Sequence, residues 1–123
     1  MANEITLVVQ IQQTKNGRTF TDNTGGLTYT QTGNGVSSGV YLVSDSAAVA
    51  IPLAGIVEPE SALLRNLDDT NFVTLGYDNT GFVPVMKIRP GQCVLVNLDG
   101  VLAVPQLKAD TNDCLVSYSI FDR

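Results

Sequence analysis

Apolar and polar residues alternate along most of this chain, and a period of two is the pattern of a β-strand with one buried face. The segment "ITLVVQIQQTK" sets four apolar side chains against a polar face. "GLTYTQT" alternates in the same way, with turn-forming residues before it in "DNTGG" and after it in "GNG". "GVYLVS" and "AAVAIPL" follow, and Pro52 makes the end of the latter an edge strand or a bulge. The apolar positions of the first strand are Ile5, Leu7, Val9 and Ile11.

The second half of the chain continues the strand pattern. Residues 62–67 and 71–77 are predicted to be two strands, and the "DDTN" sequence between them is predicted to be the turn of a hairpin. "FVPVMKIRPGQCVLVNL" gives two more strands that are separated at Pro90-Gly91. Asp99-Gly100 opens a tight turn into "VLAVPQL", and "KADTND" separates that strand from the terminal strand "CLVSYSIF".

These elements predict an all-β fold. About nine or ten short strands follow one another at the spacing typical of a sandwich or barrel, and no segment has the spacing of an amphipathic helix. Three long loops, at residues 15–26, 32–39 and 54–61, argue against a meander of tight hairpins. We predict a single domain over residues 1–123, a two-sheet antiparallel sandwich of jelly-roll or Greek-key type, with a small closed barrel as the alternative.

The composition points to assembly. Charged residues make up 15% of the 123 residues, against about 25% in an ordinary soluble domain, and the mean hydropathy is +0.15. Few ionic side chains are therefore left to cover the surface, and we expect part of it to be hidden against partner subunits.

The charge excludes several kinds of partner. The net charge is −5 and the seven Lys and Arg are scattered, so we expect no nucleic-acid partner and no anionic membrane surface. The longest apolar stretches fall short of the ~20 residues of a membrane helix, and "MANEITLVVQIQQ" lacks the pattern of a secretory signal.

The residue types argue against catalysis. The chain has no histidine, which excludes Ser-His-Asp and Cys-His triads and every zinc site that uses histidine. Cys93 and Cys114 cannot close a zinc site alone, and we expect two buried free thiols in a protein made in a reducing cytoplasm. "GNGVSSG" has no helix after it, so it is predicted to be a flexible loop and not a phosphate site.

The acidic pairs have a structural interpretation. Asp and Asn side chains stabilise chain reversals by accepting hydrogen bonds from the backbone two residues on, and we favour this over catalysis or calcium binding. "DTND" lacks the glycine and the bidentate glutamate of an EF-hand loop. The four tyrosines fit the rim of a core better than a sugar site. We therefore expect no catalytic residue, metal or cofactor. The residues considered are Asp68, Asp69, Asp110, Asp113, Glu58, Glu60, Tyr29, Tyr41, Tyr77 and Tyr118.

Residues 62–121, about half of the chain, resemble the C-terminal part of small virion proteins of tailed bacteriophages. The resemblance lies in the succession "LLRNLDDTNFVTLGYD", "FVPVMKIRPGQCVLVNL" and "VLAVPQLKADTNDCLVSYSIFD". Such proteins are similar to jelly-roll head decoration, or cement, proteins. The resemblance implies a non-enzymatic homo-oligomer, a trimer or a dimer, that binds the major capsid protein on the outer surface of the capsid after synthesis in the host cytoplasm.

Two other virion roles stay open at this point. The same sandwich can serve as a tail, collar or adaptor component, and it can serve as a carbohydrate-binding module, although the lack of Trp counts against the latter.

The first strand is expected to lie at a subunit contact. Its apolar face, from Ile5 to Ile11, should join the sandwich core, which leaves an uncharged opposite face on an unprotected edge. We therefore expect residues 5–13 to contact another copy or the capsid shell, and Val8→Lys or Gln10→Glu to weaken assembly without unfolding the chain. That opposite face consists of Thr6, Val8, Gln10 and Gln12.

Overall fold

The computed structural model describes residues 5–33, 35–98 and 105–122. These ranges contain ten β-strands and no helix, and therefore no helix able to cross a bilayer. The strands are β1 (Ile5–Lys15), β2 (Arg18–Tyr29), β3 (Val36–Val43), β4 (Val49–Ala50), β5 (Pro59–Asn66), β6 (Val73–Asp78), β7 (Phe82–Ile88), β8 (Cys93–Asn97), β9 (Pro105–Ala109) and β10 (Cys114–Asp122).

The chain divides into two compact units, residues 1–32 and residues 33–123. In the first unit, β1 and β2 form a two-stranded sheet of their own, which we call the N-terminal hairpin. In the second unit, β3-β10-β5-β8 form the front sheet and β4-β9-β6-β7 form the back sheet. The two sheets pack on each other as an antiparallel β-sandwich, as the alternation of the sequence predicts.

The second unit is an eight-stranded jelly roll. Its strands pair antiparallel from the outside of the segment inward: β3 with β10, β4 with β9, β5 with β8, and β6 with β7. This is one long hairpin of four strand pairs. When it rolls up, β10 also pairs with β5 and β9 with β6, which makes two four-stranded sheets. The predicted jelly-roll class is confirmed.

The core lies between the two sheets, where alternate side chains of each strand meet. Leu64, Val73, Leu107, Val116 and Ile120 have no exposed surface. The core is completed by Val43, Ile51, Ala62, Leu75, Ile88, Ala109 and Cys114, with Tyr41 and Tyr118 partly buried against it.

The sequence "DDTN" does not close a hairpin, and the prediction that it does is wrong. Strand β5 belongs to the front sheet and β6 to the back sheet, so residues 67–72 cross from one sheet to the other. Asn66 explains the crossing. Its fully buried amide donates to the carbonyls of Asn71 (2.8 Å) and Ile88 (3.0 Å), while its oxygen accepts from the N–H of Asp68. These bonds hold the chain over the end of the sandwich instead of turning it back.

The predicted loop at residues 15–26 is also wrong, because most of it is strand β2. The reversal is made by Asn16 and Gly17, whose φ angles of 53° and 75° suit a two-residue hairpin turn. The "DNTGG" sequence is a β-bulge. The register shifts between Val8 and Gln10, and Thr24 accepts a hydrogen bond from the N–H of Val9.

Other boundaries agree in part with the sequence. Strand β4 is a short edge strand that ends just before Ile51-Pro52, as predicted. The loops predicted at residues 32–39 and 54–61 are shorter, because β3 begins at Val36 and β5 at Pro59. The turn predicted at Asp99-Gly100 lies outside the described residues.

Candidate interaction surfaces

The outer face of the front sheet, which we call the front face, is built by the side chains that alternate with the core positions. The strand registers place these side chains in rows across β3, β10, β5 and β8. They are Val36, Ser38, Val40, Leu42, Leu115, Ser117, Ser119, Phe121, Leu63, Arg65, Cys93, Leu95 and Asn97.

The front face is apolar, exposed and almost without charge. Val40, Leu42, Leu63 and Leu115 are 55%, 57%, 46% and 50% exposed. Arg65 is the single charged residue among the front-face positions. Large exposed apolar patches on soluble proteins mark interaction sites, and charged residues are depleted at the centre of interfaces.

The outer face of the back sheet is different. Lys108 of β9 and Lys87 of β7 both stand beside Thr74 of β6, so one row across three strands carries two cations. The ammonium of Lys87 also lies 4.3 Å from the centre of the Phe72 ring. Lysine on an edge strand such as β7 opposes pairing with other chains. The back face is therefore an ordinary solvated surface, and the two faces of the sandwich are unequal.

A depression of about 400 Å³ lies within the front face. Its lining combines apolar side chains, two serines and one guanidinium, and it is close to the end of the front sheet where β8 begins. The lining residues are Leu63, Arg65, Gly91, Cys93, Ser117 and Ser119. Such a depression can accept one anchoring side chain from a partner.

The N-terminal hairpin carries a second apolar surface. The register places Leu7 opposite Leu27, Ile11 opposite Asp22 and Gln13 opposite Phe20 on one face. Ile11, Phe20 and Leu27 are 66%, 63% and 51% exposed. We call Leu7, Val9, Ile11, Phe20 and Leu27 the apolar hairpin face.

This face corrects the expectation that Ile5, Leu7, Val9 and Ile11 belong to the sandwich core. Ile5 is buried, but Val9 and Ile11 are exposed, and β1 joins neither sheet of the sandwich. The alternation correctly predicted an apolar face, but a face can be apolar because a partner covers it. The prediction that residues 5–13 make a subunit contact stays a prediction.

The opposite face of the hairpin is polar and uncharged. Thr14 and Thr19 share a hydrogen bond of 3.2 Å, and the amide of Asn23 donates to Gln10 at 2.8 Å. Val8 interrupts this row and is 63% exposed. Cross-strand pairs of this kind contribute to the stability of the hairpin.

The acidic pair Asp68-Asp69 lies in the crossover between β5 and β6, where Asp68 accepts a hydrogen bond from the backbone two residues on, as predicted. Asp68 Oδ1 accepts from the N–H groups of Thr70 (2.7 Å) and Asn71 (2.6 Å), and Asp69 accepts from the hydroxyl of Thr70. The backbone N–H groups of Asn71 and Thr70 lower the pKa of Asp68 below its ordinary value. The carboxylate of Asp68 therefore stabilises the crossover.

The second acidic pair, Asp110 and Asp113, also accepts hydrogen bonds in loops. Asp113 Oδ1 accepts from the N–H of Asp45 at 3.1 Å, and Asp110 accepts from the hydroxyl of Thr111. In the described parts of the chain no three Cys, Asp or Glu side chains are grouped closely enough to hold a metal ion.

Asp122 is a structural residue that the sequence reasoning missed. It is 4% exposed. Its carboxylate accepts from the N–H groups of Glu58 (2.8 Å), Val57 (3.2 Å) and Gly35 (3.3 Å). A Cβ at Gly35 would collide with the Gly55 carbonyl oxygen and with this carboxylate. The sequence offered an aspartate at the end of the terminal strand and glycines before β3, but nothing in the sequence indicated that they lie in contact.

The two cysteines differ. Both are free, and Cys114 is buried as expected, but Cys93 is exposed on the front face. Burial, together with the nearby carboxylate of Asp68, raises the pKa of Cys114 to about 11. Cys114 is therefore an unreactive core residue, whereas Cys93 is an accessible thiol in the depression.

The four tyrosines are half-buried, and Tyr41 and Tyr118 pack against the core as predicted for its rim, whereas Tyr29 lies in the N-terminal hairpin and Tyr77 lines a groove. The rings of Tyr41 and Tyr118 pack edge to face at 5.4 Å between centroids. The hydroxyl of Tyr41 is buried and has no hydrogen-bond partner among the described residues, and burial raises its pKa far above the ordinary value.

A larger groove of about 550 Å³ opens at the edge of the sandwich that β7 and β8 form, between β6 and β7 on one side and β8 on the other. Most of its lining is apolar, including Leu75, Met86 and Val96, with Asp78 as the ionisable carboxylate.

No protein-family model, curated protein or solved structure matches this chain. What the surfaces can do therefore follows from their residues. The exposed apolar side chains of the front face and of the apolar hairpin face are suited to association by exclusion of water and by shape.

Proposed function

We propose that this protein is a non-enzymatic structural protein of a tailed-bacteriophage virion that binds the major capsid protein on the outside of the head and stabilises it. The observation that carries the proposal is the front face, a whole sheet surface with one charged residue, in a chain of net charge −5. A free monomer would gain little from such a face, whereas a protein that functions inside an assembly needs one.

Two further considerations support a head decoration role. Residues 62–121 resemble small phage virion proteins, and the jelly roll is a fold common among viral capsid domains. Fold alone does not decide function, so the weight rests on the surface and on the acidic side chains. Asp68, Asp113 and Asp122 accept backbone hydrogen bonds, which leaves them unsuited to act as general acids or bases.

The mechanism of such a protein is mechanical. It bridges neighbouring capsid subunits and adds buried surface across joints that internal DNA pressure would open. A contact of roughly 800 Å² per partner is enough for a specific, stable interface. Repetition of the contact by the symmetry of the shell, with several contacts per oligomer, makes release slow through avidity.

The copy number of the protein in purified virions tests the proposal. A decoration protein fills the surface lattice and is present in hundreds of copies, whereas a collar or adaptor ring holds on the order of a dozen. Quantitative mass spectrometry against the major capsid protein, with a single-particle map of the same virions, should give the high number and density on the outer surface. A dozen copies, or density confined to the tail, would support the alternative role of tail, collar or adaptor component.

A further inference from the structure

The front face and the apolar hairpin face are two largely apolar surfaces of one chain, and both are exposed. Arg65 lies on the first, and Asp22 lies beside Ile11 on the second. We propose that the apolar hairpin face of one copy covers the front face of a second copy, with Phe20 seated in the depression beside Arg65. The inference rests on the proposed function, because it names how the homo-oligomer of that function is built.

Charge favours docking of the N-terminal hairpin on the front face over docking of two front faces on each other. Residues 33–123 contain ten acids and five bases, so all of the net charge of −5 lies in the unit that contains the sandwich. Residues 1–32 contain two acids, Glu4 and Asp22, and two bases, Lys15 and Arg18, so this unit is neutral, and the two cations flank the hairpin turn as a cross-strand pair. Two front faces docked together would bring two acidic bodies into contact. The hairpin brings a neutral unit instead.

Area favours a reciprocal exchange. With strands about 4.8 Å apart and about 3.4 Å per residue, one hairpin face covers about 350 Å² and the front sheet about 450 Å². Either area alone falls short of the roughly 800 Å² per partner of a standard interface. In a two-fold dimer each copy gives one hairpin and receives one, so each copy buries about 350 Å² twice, about 700 Å² in all, which lies within the range of a standard interface.

The hairpin also needs a cover for its own stability. Isolated two-stranded hairpins are marginal in water, and Ile11 and Phe20 are about two-thirds exposed, at 66% and 63%. The depression offers the matching partner for Phe20: Leu63 as an apolar wall, and Arg65, whose guanidinium can stack on an aromatic ring.

The exposed thiol of Cys93, which lines the depression, allows a direct test. The variant Asp22→Cys with Cys93→Ser places a thiol two residues from Phe20 on the same face of β2. The matched control, Thr21→Cys with Cys93→Ser, places it on the opposite face. Each purified variant is mixed with the wild-type protein and treated with a short bismaleimide, and circular dichroism checks that both fold.

The expected result is a cross-linked pair of one variant and one wild-type chain, with a yield about tenfold or more higher for Asp22→Cys than for Thr21→Cys, because docking raises the local thiol concentration. Equal yields, or none, would overturn the inference. So would a chain carrying Asp22→Cys and the native Cys93 that cross-links only within itself, since the hairpin would then cover its own sandwich.

This experiment uses no capsid, so its failure can be told apart from that of the proposed function. If the protein forms cross-linked oligomers but is absent from the head surface, the decoration role is contradicted and the hairpin exchange between copies is not. If the protein is abundant on the head but does not cross-link, only the hairpin exchange is contradicted.

Discussion

Tyr41 holds a hydroxyl group in the core rim where it is buried without a partner among the described residues. A buried unsatisfied polar group costs about 1–3 kcal/mol, and an apolar replacement of the same shape removes that cost. We therefore expect Tyr41→Phe to raise the free energy of unfolding by about 1 kcal/mol in urea denaturation. Tyr77→Phe, at a half-buried position of β6, should change it little. A clear loss of stability in Tyr41→Phe would reveal a hydrogen bond to this hydroxyl.

Asp122 joins the start of the sandwich to the loop before β5. Removal of its carboxylate leaves the N–H groups of Gly35, Val57 and Glu58 without their acceptor, so Asp122→Ala should lower the free energy of unfolding by about 3 kcal/mol or more. Asp78→Ala is the matched control, because the exposed carboxylate of Asp78 accepts a single backbone bond, from Gly81. Similar losses in the two variants, by thermal or urea unfolding, would contradict the role given to Asp122.

The crossover at residues 67–72 is the element whose stability should depend on acid. The N–H groups of Asn71 and Thr70 lower the pKa of Asp68 in the folded state. A lowered pKa means that the stabilisation is complete above the ordinary pKa of an aspartate and is lost as the pH falls through the folded-state value. Urea midpoints should therefore fall below about pH 4, and Asp68→Asn, which keeps the acceptor oxygen, should fall less steeply.

The control for this prediction is Asp69→Asn, which removes a neighbouring carboxylate that accepts from the Thr70 hydroxyl. Its midpoints should follow the wild-type curve. If Asp68→Asn and the wild-type protein lost stability in parallel, Asp68 would not be the acid-sensitive group of the crossover.

Strands could be predicted from the sequence, but their partners could not. Alternation identified β5, β6 and β10 because burial of one face imposes a period of two on local sequence. The partner of β5 is decided by contacts far along the chain, with β10 and β8, and by the buried amide of Asn66. A polar residue at a strand end looks the same in sequence whether it closes a hairpin or spans two sheets.

The N-terminal hairpin shows the opposite case, because a local signal was present. Asn-Gly flanked by alternating residues is the strongest short-range signal of a hairpin, and Asn16-Gly17 makes this one. "DNTGG" competed with it as a turn sequence. Its glycine and amide instead build a bulge, in which Asn23 Oδ1 accepts from the N–H of Gly25 at 2.7 Å.

At the scale of the whole molecule, the main feature is that the two outer faces of the sandwich differ in charge and in apolar content. The low charge content predicted a hidden surface, and the structure locates a face with one charged residue, but composition could not say which face it is. That required the register of four strands, which places Val40, Ser117, Arg65 and Cys93 in one row. The chemistry of such a face favours association. The partner that we propose for it is another copy, and the resulting assembly is what we propose binds the capsid shell.

Comparison of a charged substitution on the front face with one outside it tests the central claim most directly. Val40→Glu on the front face and Val85→Glu at the bulge of edge strand β7 alter side chains of similar exposure, 55% and 60%. Both variants should fold, by circular dichroism. In sedimentation of the purified proteins, alone and with phage heads stripped of the wild-type protein, Val85→Glu should assemble and bind as the wild type does. Val40→Glu should sediment as a smaller oligomer or a monomer. It should bind the stripped heads at least about tenfold more weakly, a loss of about 1.4 kcal/mol or more. Wild-type assembly and head binding by Val40→Glu would contradict the assignment of the front face as the assembly surface.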